Sequence, residues 1–241
     1  MTVVAIIPAY NEATTITEVV KRALEYCSVV VVDDGSSDLT SQDVANVGAK
    51  VLRNESNRGK AFSLWRGFRY ALESGAKFII TLDADGQHLP EDIPRLIAKA
   101  EHNPGSIVIG GRTRRLERMP KLRKFGNRAA NFWISWASGQ WIADTQSGFR
   151  VYPASVLREM IEQNATQGRG FVLESEILIE ASWRGVPIVI EEVEAVYPPW
   201  ARRSYYRPTA DTLSIIMMVA GKLISRGLYP YGLVSIMKAR R

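Results

Sequence analysis

Residues 78–88 of the chain read Phe78-Ile79-Ile80-Thr81-Leu82-Asp83-Ala84-Asp85-Gly86-Gln87-His88. The run Phe78–Ile80 is short, apolar and β-branched, which predicts a buried strand. Two carboxylates, Asp83 and Asp85, follow directly where this strand ends. They share a face if the strand continues, because side chains alternate along a strand, and they converge if the chain turns at Gly86. Open α/β sheets bind ligands at the carboxyl ends of their strands, so this stretch is the first candidate site.

A divalent cation is the expected partner of these two carboxylates. Two bare carboxylates so close repel each other, which raises the pKa of one of them. Carboxylate oxygens, with the Gln87 amide or His88 added, suit Mg²⁺ or Mn²⁺. A site with few carboxylates also leaves coordination positions for substrate phosphates. The alternative is a solvated turn, in which Asp and Gly make only local hydrogen bonds.

The composition of the 241 residues fits one α/β domain, with or without an appendage. Lys and Arg number 31 against 25 Asp and Glu, and this excess of +6 fits an anionic ligand or an acidic membrane surface. A single cysteine, Cys27, excludes an internal disulfide framework and is expected in the core. The sequence begins with a predicted strand rather than a signal peptide, and no apolar run reaches the roughly 20 residues of a membrane-spanning helix.

Strands and helices alternate over the first 112 residues. Apolar runs predict five strands, at Val3–Ile7, Val29–Val32, Lys50–Leu52, Phe78–Ile80 and Ser106–Ile109. Helical spacing and start signals predict helices at Glu12–Glu25, Thr40–Val47, Asn57–Glu73 and Pro90–Glu101. This alternation predicts a mainly parallel sheet with helices on both faces. The chain carries neither a G-x-G-x-x-G after the first strand nor a Walker lysine loop, so neither a usual dinucleotide fold nor a P-loop enzyme is supported.

Polar side chains follow four of these strands. The clusters are Pro8–Glu12, Asp33–Asp38, Asp83–His88 and Gly110–Arg112. Because the carboxyl ends of parallel strands meet at one edge of a sheet, we expect the clusters to lie together. At that edge Asp34 could accept hydrogen bonds from a nucleobase or ribose, and Tyr10 offers a ring for contact with the base.

Several motifs, in a fixed order along the chain, resemble one known family. The first are Pro8–Glu12, Val32–Ser36, Asn57–Lys60 and Asp83–Asp85, which resemble the nucleotide-sugar domain of family 2 glycosyltransferases. The others are Gln87-His88, Gly110–Arg112 and Asp144–Arg150, which narrow the resemblance to dolichol-phosphate mannosyltransferases and polyprenyl-phosphate glycosyltransferases. The resemblance covers about residues 3–200. It implies a GT-A-like, Rossmann-type α/β fold with a mainly parallel sheet covered by helices on both faces.

The resemblance also implies roles for single residues. It assigns the nucleotide to Pro8, Tyr10, Glu12, Val32 and Asp34. It assigns the diphosphate and a Mg²⁺ or Mn²⁺ ion to Asp83, Ala84, Asp85 and Gln87. Asp85 and Gln87 are the expected direct ligands, and Asp83, Asp85 and Arg112 are the predicted catalytic residues. Strand-end packing is the alternative for Pro8 and Val32, and a helix cap or turn is the alternative for Asp34.

A basic stretch follows the fifth strand. Its cations are Arg112, Arg114, Arg115, Arg118, Lys121, Arg123, Lys124 and Arg128. A charge run is usually a solvated face, but this one begins at the active edge, so phosphate binding competes with that interpretation. The resemblance assigns Arg112 and Arg123 to an acceptor phosphate, together with Asn127, where the family often has a serine, and Ser147. The uncharged, tryptophan-rich stretch Ala129–Ala143 predicts an interfacial helix or, alternatively, a core helix.

The last part of the chain divides into a basic loop and an apolar tail. The loop Tyr197–Pro208 carries Arg202 and Arg207, which the resemblance places over the diphosphate. We predict a catalytic domain at residues 1–210 and a helical tail at residues 211–241. The uncharged stretches of the tail are Thr212–Gly221 and Gly227–Met237. Each is too short to span a bilayer, which predicts interfacial or packed helices.

The predicted function is metal-dependent transfer of a sugar from a UDP- or GDP-sugar to a lipid acceptor, with inversion implied by the resemblance alone. A polyprenyl phosphate acceptor is already ionised and needs no strong base. A hydroxyl acceptor needs one, and the candidates are Glu174, Glu176 and Asp144. A nucleotidyltransferase and a non-catalytic nucleotide-sugar sensor are the remaining alternatives. We predict no nucleic-acid partner and a cytoplasmic location, peripheral to the inner face of the membrane.

Overall fold

The computed structural model describes residues 2–112, 121–163, 166, 170–194, 196 and 208–239, with the backbone alone at 121–125, 208 and 209. The strands are β1 (Val3–Ala9), β2 (Ser28–Asp33), β3 (Lys50–Arg53), β4 (Phe78–Thr81), β5 (Ile107–Gly111), β6 (Arg150–Pro153) and β7 (Ile188–Glu192). The helices are α1 (Ile16–Leu24), α2 (Thr40–Asn46), α3 (Lys60–Glu73), a 3₁₀ turn (Pro90–Asp92), α4 (Ile93–His102), α5 (Lys121–Ser138), α6 (Ala154–Glu162), α7 (Val172–Trp183), α8 (Pro208–Ser225) and α9 (Pro230–Ala239).

The strands form one seven-stranded sheet in the order β3-β2-β1-β4-β6-β5-β7. All neighbouring pairs are parallel except those of β6, which runs antiparallel to both β4 and β5. The prediction of a mainly parallel α/β sheet is therefore confirmed. Strand β6 was not predicted, because it begins with an arginine and ends with a proline and so contains no apolar run.

The core lies on both faces of this sheet, because side chains alternate along each strand. On one face Ile6 and Val32 pack with α3, and on the other Ile7 and Val31 pack with α1 and α4. Helix α3 lies close to β1 at Gly67, where an added Cβ would be 2.4 Å from Ile6 Cγ2. A residue with a side chain at this position would overpack the core.

The first helix begins four residues later than predicted, at Ile16 rather than Glu12. The preceding backbone turns toward the loop after β2 instead. The N–H of Glu12 donates to Thr40 Oγ1 at 2.8 Å, and that of Ala13 donates to Asp38 Oδ2 at 3.2 Å. These bonds join two of the predicted polar clusters and replace a further turn of helix.

The basic stretch and the tryptophan-rich stretch belong in part to one helix, α5, which ends at Ser138 rather than continuing to Ala143. Ile134 and Ala137 on this helix are fully buried, whereas the Trp133 side chain is exposed. The core alternative thus describes the buried face of the helix, and the interfacial alternative stays a prediction.

Helices α8 and α9 pack on α5 and α7. Ile215, Val219 and Leu223 of α8 are buried in this contact, and Trp136 Nε1 donates to Tyr229 O at 3.2 Å. The outer faces of both helices are apolar and exposed, as is Leu228 in the turn between them. The exposed apolar residues on the helices are Leu213, Ile216, Met217, Ile224, Tyr231, Val234 and Met237. Within the described residues no single helix is long and apolar enough to cross a membrane. Helices α8 and α9 together have sufficient length and apolar composition, but they are bent by 113° relative to each other. The division into residues 1–210 and 211–241 stays a prediction.

Candidate active site

The loops that follow β1, β2 and β4 meet at the carboxyl edge of the sheet. The N–H of Asn11 donates to Ser36 Oγ at 2.8 Å, which joins the first loop to the second. The hydroxyl of Thr15 donates to the carbonyl of Ala84 at 2.7 Å, which joins the first loop to the third. The prediction that the polar clusters lie together is therefore confirmed for these three strand ends.

Asp34 binds the turn that precedes α3. Its Oδ1 accepts hydrogen bonds from Asn54 Nδ2 at 2.7 Å and from the N–H of Arg58 at 2.9 Å. Its Oδ2 accepts one from the N–H of Gly59 at 2.7 Å. The contacts of the Asp34 carboxylate are therefore those of a turn residue, which was the alternative prediction for this position. The contact of Asp34 with a nucleotide stays a prediction.

The other predicted nucleotide contacts lie at the ends of β1 and β2. Val32 is fully buried in the core and stands opposite Pro8 in the parallel register of the two strands. Strand-end packing therefore describes the Val32 side chain, which leaves only its backbone for a donor contact. Tyr10 and Glu12 are half-buried at this edge, and their roles in donor binding stay predictions.

Lys60, the first residue of α3, lies between two carboxylates. Its Nζ is 2.7 Å from Asp83 Oδ1 and 2.8 Å from Glu174 Oε2. Burial disfavours the charged amine, but the two carboxylates outweigh burial and raise the pKa of Lys60. Burial likewise opposes the ionised form of Asp83, yet Lys60 and His88 hold the pKa of Asp83 well below its usual range. Asp83 is therefore an anion already bound to a cation of the chain.

Asp85 has a different environment. Its Oδ1 accepts the N–H of Gln87 at 3.0 Å, and no ion pair between described residues includes its carboxylate. Burial, and after it repulsion from Asp83, raises the pKa of Asp85 above its ordinary value. The surroundings thus disfavour the Asp85 anion, so an added cation would be stabilising at this position.

The residues around Asp85 fit a hard divalent cation. Among the described residues Lys60 pairs with Asp83 and Glu174, and Arg112 pairs with Asp144. No described cation forms an ion pair with Asp85, so its negative charge is left over there. No three His, Cys, Asp or Glu side chains gather around one point in the part of the chain that the structure describes. A metal would therefore be held by Asp85 and Gln87, with substrate oxygens completing its shell, as Mg²⁺ and Mn²⁺ prefer.

His88 and Gly148 enclose Asp83. The buried His88 ring packs on Phe149 with centroids 5.3 Å apart, and its Nε2 is 3.8 Å from Asp83 Oδ2. Its Nδ1 has no hydrogen-bond partner among the described residues, which makes it a polar atom that a ligand or water would satisfy. An added Cβ at Gly148 would be 2.6 Å from Asp83 Oδ2, so any larger residue would force this carboxylate to shift.

Arg112 forms a bidentate ion pair with Asp144. Arg112 Nε is 2.9 Å from Asp144 Oδ2 and its Nη2 is 3.0 Å from Oδ1, while the Arg112 N–H also donates to Oδ2 at 3.0 Å. The two side chains are only 8% and 10% exposed. Although burial raises the pKa of Asp144, the Arg112 guanidinium outweighs burial and lowers it. Three donors of Arg112 are thus committed to Asp144, and its contact with an acceptor phosphate stays a prediction.

The remaining predicted acceptor residues differ in what the structure says of them. Ser147 is fully buried, and its hydroxyl donates to the Gly110 carbonyl at 2.6 Å, which argues against its predicted contact with the acceptor. Asn127 is half-buried on α5. The side chain of Arg123, like Arg202 and Arg207, lies outside the described residues, and the roles of these arginines stay predictions.

Val196, the last described residue before the stretch that carries Arg202 and Arg207, lies beside the candidate metal site. Its N–H donates to the Gln87 carbonyl at 3.0 Å. Gln87 is one of the two expected metal ligands.

Sequence reasoning gave no role to Lys60 and Arg150, although both lie within the quoted motifs. The signal for Lys60 was its position directly after Gly59 at a predicted helix start near the edge of the sheet. Arg150 was marked only by its place at the end of the Asp144–Arg150 motif, because its burial depends on a strand that was not predicted.

A mainly parallel sheet with paired aspartates at its carboxyl edge defines an α/β protein of the class that binds ligands at that edge. The chain belongs to glycosyl transferase family 2, whose sequence pattern matches residues 4–161. It is therefore a glycosyltransferase, which sets aside a nucleotidyltransferase and a nucleotide-sugar sensor.

Two relatives are named for polyprenyl phosphate chemistry. The UDP-N-acetylglucosamine–dolichyl-phosphate N-acetylglucosaminyltransferase of Methanococcus voltae is 30% identical over 81% of this chain and 86% of its own. The undecaprenyl-phosphate mannosyltransferase of Micrococcus luteus is 30% identical over 78% of this chain and 81% of its own.

Solved structures support the fold. Glucosyl-3-phosphoglycerate synthase from Mycobacterium tuberculosis, crystallised with Mn²⁺, UDP-glucose and phosphoglyceric acid, superposes with a TM-score of 0.72 at 18% identity. The match covers 92% of this chain and 79% of that one. At this identity the likeness concerns the fold alone, and it confirms the predicted GT-A-like architecture.

Proposed function

We propose that the protein transfers a sugar, with inversion, from a UDP- or GDP-sugar to a polyprenyl phosphate, in a reaction that depends on Mg²⁺ or Mn²⁺. The relatives named for dolichyl and undecaprenyl phosphates support this acceptor class. The charge left over at Asp85 supports the cation, because a diphosphate bound beside Asp83 and Asp85 would otherwise meet two carboxylates.

The acceptor assignment is carried by the relatives named for dolichyl and undecaprenyl phosphates, and the contacts of the three candidate bases are consistent with it. Asp144 is bound to Arg112 at 2.9 Å and Glu174 to Lys60 at 2.8 Å. Glu176 is bound to Lys222 at 3.1 Å. A hydroxyl acceptor needs a carboxylate that is able to take up its proton. A phosphate acceptor needs none, because it is already ionised at neutral pH.

The residues at the site would have separate roles in sugar transfer. A cation held by Asp85 and Gln87 would neutralise the departing diphosphate. Lys60 holds Asp83 in place, and its charge lies at the same edge. Arg202 and Arg207, in the stretch that follows Val196 in sequence, would cover the diphosphate. Arg112, Arg123 and Asn127 would meet the acceptor phosphate, since guanidinium groups favour bidentate contacts with phosphate.

The test is transfer of a radiolabelled sugar by the purified chain, with undecaprenyl phosphate as acceptor and undecaprenol as the matched control. A thermal-shift screen of UDP- and GDP-sugars with Mn²⁺ first identifies the donor, because a specific ligand stabilises the fold by mass action. We expect label in the phosphate product and little in the alcohol product. Equal transfer to both acceptors would support a hydroxyl acceptor instead.

We also propose that α8 and α9 lie on the cytoplasmic face of the membrane, where a polyprenyl acceptor resides. The support is their exposed apolar face, with Trp133 of α5 also exposed. Buried apolar area and attraction to anionic lipids both strengthen such binding.

Cosedimentation with anionic vesicles tests this location. We expect Ile216→Glu to release the protein, because Ile216 is 54% exposed on the apolar face of α8. The control Ser214→Glu adds the same charge at an exposed polar position of the same helix. Wild-type protein that stays in the supernatant with and without vesicles would contradict the proposal.

A further inference from the structure

Arg150, the first residue of β6, is a fully buried cation that the reaction described above does not use. Its Nε donates to the Ser147 carbonyl at 2.8 Å, and its Nη2 donates to the Thr145 carbonyl at 2.9 Å. Its Nη1 donates to the Glu174 carbonyl at 2.6 Å and to Tyr152 Oη at 3.3 Å. All these acceptors are neutral oxygens.

Burial of the Arg150 guanidinium opposes folding. An arginine is always charged in proteins, and burying a charge without a carboxylate partner is unfavourable unless hydrogen bonds replace its hydration. Three main-chain carbonyls and a phenol provide that replacement here. The acceptors belong to two chain segments that are distant in sequence, so the guanidinium joins the segments to each other.

Each of the two segments carries one carboxylate of the active site. The segment before β6 contains Asp144, which binds Arg112, and Gly148, which touches Asp83. The first turn of α7 contains Glu174, whose side chain binds Lys60 and whose carbonyl binds Arg150. The carboxylates of the Arg112–Asp144 and Lys60–Glu174 ion pairs therefore both belong to segments whose backbone Arg150 contacts.

We propose that Arg150 is a positioning residue for sugar transfer, which sets Glu174 and Asp144 so that Lys60 and Arg112 hold their places at the diphosphate edge. The planar guanidinium suits this role, because its donors point in fixed directions toward separate acceptors. Lysine has a single ammonium group and cannot hold carbonyl oxygens of both segments in the same geometry.

A double-mutant cycle between Arg150 and Glu174 tests the proposal. Arg150→Lys, Glu174→Gln and the double variant are assayed with Mn²⁺ for nucleoside diphosphate release, each well below its own melting temperature. Val44→Ala is the control, because it opens a cavity in the core under α2 and reports what destabilisation alone does. Tyr152→Phe removes one acceptor of Arg150 without removing charge and provides a second variant.

We expect Arg150→Lys to lower kcat by about 10- to 100-fold, the effect of a small misplacement of active-site groups, with donor KM changed by less than about threefold. The double variant should be no slower than the slower single variant, because the two residues act as a unit. Tyr152→Phe should lower kcat by a smaller factor, and Val44→Ala should lower only the melting temperature.

Three results would overturn the assignment: a wild-type kcat in Arg150→Lys, multiplicative losses in the double variant, or an Arg150→Lys protein that does not fold. The last would make Arg150 a residue of stability alone. The proposal rests on the proposed transfer reaction, but the cycle can also be measured as donor hydrolysis. A wild-type protein that releases nucleoside diphosphate without labelling undecaprenyl phosphate would thus refute the acceptor and leave the role of Arg150 open to the same test.

Discussion

Replacing Arg112 with methionine removes the cation that holds Asp144 and keeps most of the side-chain volume. Asp144 would lose two side-chain hydrogen bonds, from Nε at 2.9 Å and Nη2 at 3.0 Å, at a position where its side chain is only 10% exposed. Breaking a buried ion pair by removing one partner costs about 3–5 kcal/mol. For a chain of this size, we expect the melting temperature to fall by about 6–20 °C at pH 7.

The loss of stability in Arg112→Met should depend on pH, and its direction follows from the pKa of Asp144. In the wild type Arg112 lowers the pKa of Asp144 against the opposing effect of burial, so the pair stabilises the fold above the ordinary pKa of aspartate and loses this effect as the pH falls further. In Arg112→Met the backbone N–H of residue 112 still donates to Asp144, but the guanidinium is gone, so less remains to offset the effect of burial against the ionised carboxylate. The difference in stability between the two proteins should therefore shrink as the pH is lowered from 7 toward 4.

Urea unfolding followed by circular dichroism measures this difference across pH. The double variant Arg112→Met/Asp144→Leu is the control, because it removes the stranded charge and should recover much of the lost stability. In this double variant the backbone N–H of residue 112 has lost its acceptor, which costs about 1–3 kcal/mol. A loss under about 1 kcal/mol for the single variant at pH 7 would refute the buried pair.

Three further perturbations test other contacts of the site and core. Gly148→Ala should destabilise the fold by about 1–3 kcal/mol in thermal melts and lower transfer, because its Cβ would be 2.6 Å from Asp83 Oδ2. The control Gly126→Ala on α5 has open space around the added Cβ and should be neutral or stabilising. Lys60→Met should cost about 3–5 kcal/mol by leaving Asp83 and Glu174 without their shared cation. Chemical denaturation should show this against Lys99→Met, whose half-buried lysine on α4 has only a 3.9 Å contact with Glu191. Burial raises the pKa of Cys27 to about 11, so a thiol reagent at pH 7.5 should react far faster in guanidinium than with the native protein; equal rates would contradict the burial.

Local pattern was sufficient to predict the strands that define the sheet. The runs at β1, β2 and β4 are β-branched and buried, and their polar ends lie at the edge where the parallel arrangement requires them. The paired aspartates were identified for the same reason, since they follow directly on β4. In contrast, β6 has no apolar run and is stabilised by its two neighbouring strands, which a local pattern cannot reveal.

The partners of the site residues could not be predicted. Lys60 and Glu174 are more than a hundred positions apart, and their contact depends on how α3 and α7 pack on the sheet. Glu174 and Glu176 fit a helix surface by sequence, yet both are buried and paired with lysines. The difference between Asp83 and Asp85 has the same origin, because only the folded chain brings a cation to one of two similar carboxylates.

Binding of Mn²⁺ tests most directly the claim that Asp85 holds a cation together with the donor diphosphate. Mn²⁺ is titrated into wild type, Asp85→Asn and the control Glu101→Gln, an exposed acid on α4, in the presence of the matching nucleoside diphosphate. Free Mn²⁺ is followed by electron paramagnetic resonance, and transfer is assayed on the same samples. We expect Asp85→Asn to weaken Mn²⁺ binding by at least about tenfold and to abolish transfer, whereas Glu101→Gln should match the wild type. Unchanged Mn²⁺ affinity in Asp85→Asn, or full wild-type transfer in excess EDTA, would contradict the claim.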